Sequence, residues 1–536
     1  MPRGPWQEEG DLLVVGASIC GLAAAIMAAD RGCRTIILER GRELGGGAAS
    51  ESEVLAAAGS RFQHDAGIAD DPARLAEDMR AAAHHHLASE VATALAEQGA
   101  PLVAWLADRC GTRIELLATH VPAGHSVARL HLPGERGGAT LLADLTRAVT
   151  RHSHVTVRTG TVVERLVRDD GAVRGVAVRA ERRGAVQVLA GRVLLSCGGF
   201  AGNDALVSEH IPAVAELPYC GSGRATGDGL QLGREAGASV QRLGGCLVTP
   251  FLAMPGQLAV TAPLVEHGAI LVDQTGQRFA DETGESLALA TTVRARPGHV
   301  AYLLFDERIA ASARAADPFF ARVVLPRTGR RGTTLEDIAK QFELDVNGLR
   351  LTIDAFNQGA AQNADAFRRG KVPGPLEPPF HAVRVTGARL RTLGGLAIDA
   401  SARVVDAEGR SIPGLYAAGG AAVGLAGEVT GGVLPGTESL AALGLARLAA
   451  LDVIAQSAPP AERHPKKTDL LLALRRITID WMVRRMRRAS SRARCQRVSA
   501  SVGGIRIAFP KFMNHLVGSG SVPRTPRSGK NGVIGT

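Results

Sequence analysis

The stretch "LLVVGASICGLAAAIMAADRGCRTIILERG", residues 12–41, constrains this chain more than any other. An all-apolar run at 12–15 is the pattern of a buried parallel strand. An alanine-rich run at 21–31 predicts a helix, and a β-branched run at 35–38 predicts a second strand that ends at Glu39. Strand, helix and strand with such short connections make one βαβ unit. Gly16 permits the tight turn after the strand, and Gly21 lets the helix lie close to the sheet. The helix N-terminus then offers free N–H groups and the positive end of its dipole to a pyrophosphate. Ser18 stands where the G-x-G-x-x-G pattern has its second glycine. It is small enough for a phosphate to approach, and its hydroxyl is a candidate donor to a phosphate oxygen. Glu39 lies 23 residues after Gly16, where an acid accepts bonds from ribose hydroxyls and repels a 2′-phosphate.

A chain of 536 residues has room for two or more domains. The formal charge of +10 would suit a nucleic-acid or membrane partner if it were spread evenly. It is not. From Pro465 onward there are 16 Lys/Arg against 2 Asp/Glu, so the rest of the chain is mildly acidic. No specific nucleic-acid binding is therefore expected, and weak contact with a membrane surface or a partner is assigned to the basic tail. The apolar run at 12–29 follows Glu8, Glu9 and Asp11 rather than a basic segment, which argues against a signal peptide. Seven scattered cysteines without a C-x-x-C spacing indicate neither zinc nor a disulfide framework. Reduced thiols in a cytoplasm are the expectation. The histidines at 84–86 have no partner ligands one helical turn away, so no metal site is expected.

Further along, residues 72–110 read as helical. Segments 155–157, 162–167, 173–179 and 186–189 alternate between turn signals and read as a β-meander. Another buried strand, 193–196, returns the chain to the first sheet. Between 217 and 379 the texture changes: strands near 269–272 and 301–305, helices near 335–342 and 346–363. Glycine-rich βα texture resumes over 390–450, with a helix at 439–450. The fold class is thus α/β, a Rossmann-like domain with an inserted α+β domain. The expected boundaries are 1–240 and 381–457 for the two parts of the first domain, 241–380 for the insert, and 458–536 for a basic tail, largely disordered save a helix near 469–488.

The text after Glu39, "ERGRELGGGAAS", is similar to the E-K/R-x-x-x-x-G-G-x-x-x-x-S text of flavoproteins. In order behind it come "LLSCGGFAGN", "ATGDGLQLGREAGA", "GAILVDQTGQRFADE", "TLGGLAIDASARVVDAEGRSIPGLYAAGG" and "LPGTESLAALGLARLAA". Together these resemble the FAD-binding fumarate reductase / succinate dehydrogenase flavoprotein superfamily over residues 11–455. The similarity is to its single-chain branch, with soluble fumarate reductases and 3-ketosteroid Δ1-dehydrogenases. The resemblance implies a Rossmann-like FAD domain interrupted by a substrate-capping domain, with the active site between them. It implies Gly16, Ser18 and Gly21 at the pyrophosphate, Glu39 at the adenosine ribose, and Gly45, Gly46 and Ser50 along the ribityl and flavin. It also implies Val163 at adenine, with Asp228, Gly419 and the helix start at Ser439–Leu440 near the flavin. Relatives with covalent FAD use a His after the second glycine turn; "GGGAASESE" has none, which implies non-covalent FAD.

The catalytic text departs from the best-known members. The proton-delivering Arg of fumarate reductases, shortly after "RF..E", is replaced near Ser286. "VTAPLVEHG" keeps Thr261 but has Ala262 and Val265 at relay positions, and Arg391 stands where a His clamps dicarboxylate. Leu434 occupies the place of the Tyr that helps enolise a ketone in ketosteroid dehydrogenases. Fumarate reduction is therefore not expected, and dehydrogenation is favoured over reduction.

Arg391, His267 and Tyr219 are the catalytic candidates, with Thr261, Arg129 and His125 as candidates for binding a small-molecule substrate. Arg278 and Glu282 read as a structural ion pair, and the apolar run 249–260 as core or as the wall of an uncharged substrate's pocket. The expected function is an FAD-dependent oxidoreductase acting on a C–C bond next to a carbonyl or carboxylate, with an unidentified electron acceptor. The competing readings are a ketosteroid dehydrogenase-like enzyme with an altered site, an NAD-dependent dehydrogenase, and an FAD-binding interaction protein without chemistry.

Overall fold

A computed structural model describes residues 7–47, 53–83, 89–180, 186–221, 223–260, 262–370, 374–425 and 433–457. All of them belong to one compact unit, Met1–Pro459; the expected tail helix and the histidines at 84–86 lie outside the described residues.

The first strand, β1 (Glu8–Val15), leads into α1 (Ile19–Ala29) and β2 (Thr35–Leu38), as the apolar periodicity requires. Leu12, Leu13 and Val14 are fully buried because β1 has a strand on each side and is covered on both faces. β2 runs parallel to it on one side, with Leu12 opposite Thr35. On the other side lies β4 (Val186–Leu195), also parallel; β3 (Val155–Arg158) continues the sheet beyond β2. Further on come α2 (Asp228–Glu235), β5 (Ser411–Ala417) and α3 (Thr437–Ser457). The parallel order is β3-β2-β1-β4-β5, with Arg403–Val405 antiparallel at the β5 edge. Helix α3 packs on α1, burying Leu443, Ala446 and Ala450 in the main core.

Two strand assignments change. The run at 155–157 belongs to the parallel sheet and not to the meander, which consists of Thr161–Asp169, Ala172–Ala180 and the first part of β4. The runs at 186–189 and 193–196 are one strand, β4, whose start pairs with the meander and whose end pairs with β1 and β5. Alternation marks a run as extended; it does not say which neighbour it pairs with.

A second sheet is antiparallel throughout. Its order is Leu258–Ala259, Cys246–Ala253, Phe380–Thr392, Ala301–Asp306, Ile270–Val272, with Gly329–Gly332 also paired to Phe380–Thr392. It has its own hydrophobic core around Ile270, Leu303, Phe305, Phe320 and Val383. The helices expected at 335–342 and 346–363 are present as Leu335–Phe342 and Val346–Ala361. The second sheet extends through Thr392, past residue 380, where the sequence suggests a return to the first domain. Among the described residues, no helix is long and apolar enough to cross a membrane.

Candidate active site

A cleft with about 1280 Å³ of space, open mouth included, lies where β1, β2 and β4 end. This is the position at which parallel sheets present their ligands. Gly16 begins the turn after β1 with φ +99, and a Cβ there would sit 2.7 Å from the Cys197 Cα. Both facts restrict the position to glycine. A Cβ on Gly21 would lie 2.3 Å from the Gly16 carbonyl oxygen, so α1 approaches the turn only because residue 21 has no side chain. Gly21 is buried behind the cleft wall and acts by packing. Ser18 lines the cleft and is the N-cap of α1, its Oγ accepting from the Gly21 N–H at 3.3 Å. Its single hydroxyl proton goes to the Ser196 carbonyl at 2.9 Å. The hydroxyl offered to a phosphate in the sequence reading is thus spent on the turn itself, and Ile19 and Cys20, in the first turn of α1, line the cleft beside it.

Glu39 follows β2 and is 5% exposed. Its carboxylate accepts from the Ala17 N–H at 3.0 Å and the Gly41 N–H at 2.7 Å, and pairs with Arg224 at 3.0 Å. The next residue, Arg40, pairs with Asp228 at 2.7 Å and donates to the Thr226 hydroxyl at 2.9 Å. Asp228 therefore lies on the cleft wall, with its carboxylate bonded to the residue beside Glu39. Gly45, Gly46 and Val163 also line the cleft. Gly45 is fixed by its N–H bonding the Ala17 carbonyl at 2.8 Å.

Gly419, Tyr219, Leu390, Arg391 and Glu53 also line the cleft. Glu53 has a left-handed backbone, φ +49, a conformation that costs energy for any residue with a side chain. Its carboxyl accepts from the Ser439 hydroxyl at 2.7 Å, in the first turn of α3. Burial pushes the Glu53 carboxyl above the usual range, the Ser439 bond opposes this, and the nearby Glu438 adds to it. Burial also raises Glu438 and lowers Arg391, while the attraction between these two favours the charged form of each. Glu438 Oε1 is shut off from solvent without a hydrogen-bond partner.

The structure thus gathers ten sequence candidates on one cleft: Gly16, Ser18, Glu39, Gly45, Gly46, Val163, Asp228, Gly419, Tyr219 and Arg391. Others fall elsewhere. Ser439 and Leu440 are buried in α3, and Ser439 touches the cleft only through Glu53. Arg129 is fully buried away from the cleft, held by Asp70 at 3.0 Å and Asp78 at 2.8 Å. His125 fastens the Pro435 carbonyl at 2.9 Å, ahead of α3. His267 follows the short helix Ala262–Glu266 and does not line the cleft. Ser50 and Thr261 lie outside the described residues. Arg278 and Glu282 pair at 2.8 Å in a buried network with Asp365 and Arg369.

Sequence reasoning missed Arg40, Arg224, Glu53 and Glu438. The basic residue after Glu39 was a visible signal for Arg40; nothing local marks the other three, because their partners are distant in sequence.

The residues present fit a flavin dinucleotide. A glycine turn, a helix N-terminus and a held carboxylate meet the needs of pyrophosphate and ribose, and the wall continues past Gly45 to Gly419 and Arg391. Comparisons agree. The FAD binding domain family matches residues 11–433. An NADH:fumarate oxidoreductase of Klebsiella pneumoniae is 28% identical over 428 residues, covering 79% of this chain. The match spans only 44% of that longer protein. The open conformation of a flavocytochrome c3 fumarate reductase superposes with a TM-score of 0.73 at 25% identity, covering 85% of this chain and 79% of the other. The 3-ketosteroid-Δ4-(5α)-dehydrogenase of Rhodococcus jostii RHA1, in complex with 4-androstene-3,17-dione, gives 0.61 at 25% identity, covering 84% of this chain and 97% of that one.

Proposed function

The chain belongs to the FAD binding domain family, and from that premise we propose that it is an FAD-dependent oxidoreductase acting on a C–C bond beside a carbonyl or carboxylate. One observation carries the reading: a single cleft joins the Gly16–Glu39 side to Tyr219, Leu390 and Arg391. FAD, held non-covalently, supplies a hydride acceptor or donor at its N5.

The chain's residues do the rest. Glu39, fixed by two backbone N–H groups and Arg224, is set to bind ribose hydroxyls. The α1 N-terminus would hold the pyrophosphate. Arg391 orients the carbonyl oxygen and favours the charge that builds on it when the neighbouring C–H is lost. Tyr219, which lines the same cleft, is the residue assigned here to exchange that proton. The second sheet reaches the cleft through Leu390 and Arg391, which supports a capping role for that layer.

The test is anaerobic titration of the FAD-loaded chain with saturated ketones and carboxylic acids, followed by the flavin band near ~450 nm. Bleaching with formation of the unsaturated product supports the proposal. A flavin that no member of either class reduces, and that no unsaturated counterpart re-oxidises after chemical reduction, contradicts it and favours an FAD-binding interaction protein.

A further inference from the structure

We propose that Glu53 meets the bound flavin ring as a neutral carboxylic acid and donates a hydrogen bond to it from Oε1. The inference rests on FAD as the cofactor of this cleft and gives that cofactor a partner which the sequence did not single out.

Glu53 lines the cleft beyond the second glycine turn, whose Gly45, Gly46 and Gly47 lie on the same wall. Its Oε2 accepts from the Ser439 hydroxyl at 2.7 Å, in the first turn of α3. Its charge also acts on the Cys20 thiol. Cys20 in turn packs on Gly419, where a Cβ would lie 2.8 Å from the Cys20 Sγ, and both residues line the cleft. The family resemblance places two segments near the flavin, the start of α3 and Gly419. Glu53 bonds to the first and, through Cys20, neighbours the second.

The side chain is buried and only half satisfied. Glu53 is 7% exposed and holds a left-handed backbone, φ +49, a strain of the kind kept at ligand walls. Among the described residues Ser439 is its one side-chain hydrogen-bond partner, and no cation pairs with it. Oε1 is therefore left without a protein partner, and a ligand that supplies one is favoured. A carboxylate there would ask for a donor or a cation; a protonated acid asks for an acceptor. The Ser439 bond and the positive end of α3 favour the anion. Burial, the largest influence on this carboxyl, and the Glu438 charge favour the neutral acid and prevail. The pyrophosphate of FAD adds further negative charge to the same cleft. The carbonyl oxygens and ring nitrogens along the flavin edge are the acceptors that a neutral acid matches. Around Glu53, Cys20 is pushed up to about 11 by burial and keeps its proton, and Arg391 on the same wall keeps its charge. Glu438 is the other acid whose charge bears on Glu53.

The experiment titrates the apo chain with FAD at a series of pH values from about 5.5 to 9, reading dissociation constants from flavin fluorescence. The wild-type constant should rise with pH, approaching about tenfold per unit above the carboxyl's pKa, because only the protonated form donates. In Glu53→Gln the amide oxygen accepts from Ser439, the amide nitrogen donates to the flavin, and nothing ionises. Its constant should stay flat and within about threefold of the wild-type value at the lowest pH. Ser439→Ala removes a bond that favours the anion, so its rise should begin at higher pH than the wild type's; this variant serves if Glu53→Gln does not fold. A wild-type constant that does not change with pH overturns the inference, and so does an equal rise in Glu53→Gln. FAD binding that tightens with pH in the wild type alone makes Glu53 an anionic partner and overturns it too. A folded chain that takes no FAD at any pH removes the FAD reading together with this one.

Discussion

Ser439 donates its hydroxyl to the Glu53 carboxyl at 2.7 Å across 386 residues of sequence. The bond ties the start of α3 to the segment after the second glycine turn, and it holds a buried acid at the cleft wall. Glu53 has a raised pKa in the fold, chiefly through burial. The sign follows from linkage. A raised folded-state pKa gives stability that is complete below the unfolded value near 4.5 and is lost as pH climbs through the folded value. Glu53→Gln cannot ionise, so its Tm should gain on the wild type as pH rises from about 5 to 8. Parallel Tm curves across that range would show that Glu53 is not strained by ionisation.

Ser18 and Gly16 should respond in opposite ways to small changes. Ser18→Ala removes the N-cap and should cost about 1 kcal/mol, while Ser18→Gly should cost a few tenths, both with FAD retained. Gly16→Ala meets the Cys197 backbone in a left-handed conformation and should cost roughly 2–4 kcal/mol with loss of FAD. Chemical denaturation and flavin content measure both. A Gly16→Ala chain with wild-type stability and bound flavin would refute the steric argument.

The first βαβ unit was legible because its signals are local. Apolar runs, a glycine turn and an acid at a set distance all lie within residues 12–41, and the structure reproduces them. The helix at Leu335–Phe342 was also legible from its local run, and the structure adds the Thr334 cap that opens it. The Glu39–Arg224 and Glu53–Ser439 relationships were not, because nothing in the text near one partner announces the other. Arg129 shows the converse failure. A basic residue in a polar stretch reads as a ligand-binding candidate, and only packing reveals Asp70 and Asp78 around it.

Arg129 is therefore expected to act on stability. Arg129→Ala leaves two carboxylates with no cation in a buried site and should cost about 3–5 kcal/mol. The folded fraction should keep the wild-type dissociation constant for cyclohex-2-enone. A large loss of enone affinity with unchanged stability would return Arg129 to the substrate site.

Arg224 holds Glu39 from a segment 185 residues away. Arg224→Ala should free the Glu39 side chain and weaken FAD binding by about tenfold, with little change in Tm because the arginine is partly exposed. Fluorescence titration of the apo chain with FAD reads the affinity. Unchanged affinity would mean that Glu39 is held well enough by the Ala17 and Gly41 N–H groups alone.

The central claim is that the cleft running from Gly16 to Arg391 holds FAD, and the most direct measurement is the flavin content of the purified folded chain before and after acid precipitation. The expected result is one FAD per chain, absorbing near ~450 nm and released intact into the supernatant. A folded chain that is colourless as purified and takes up no FAD when it is supplied in excess would contradict the claim.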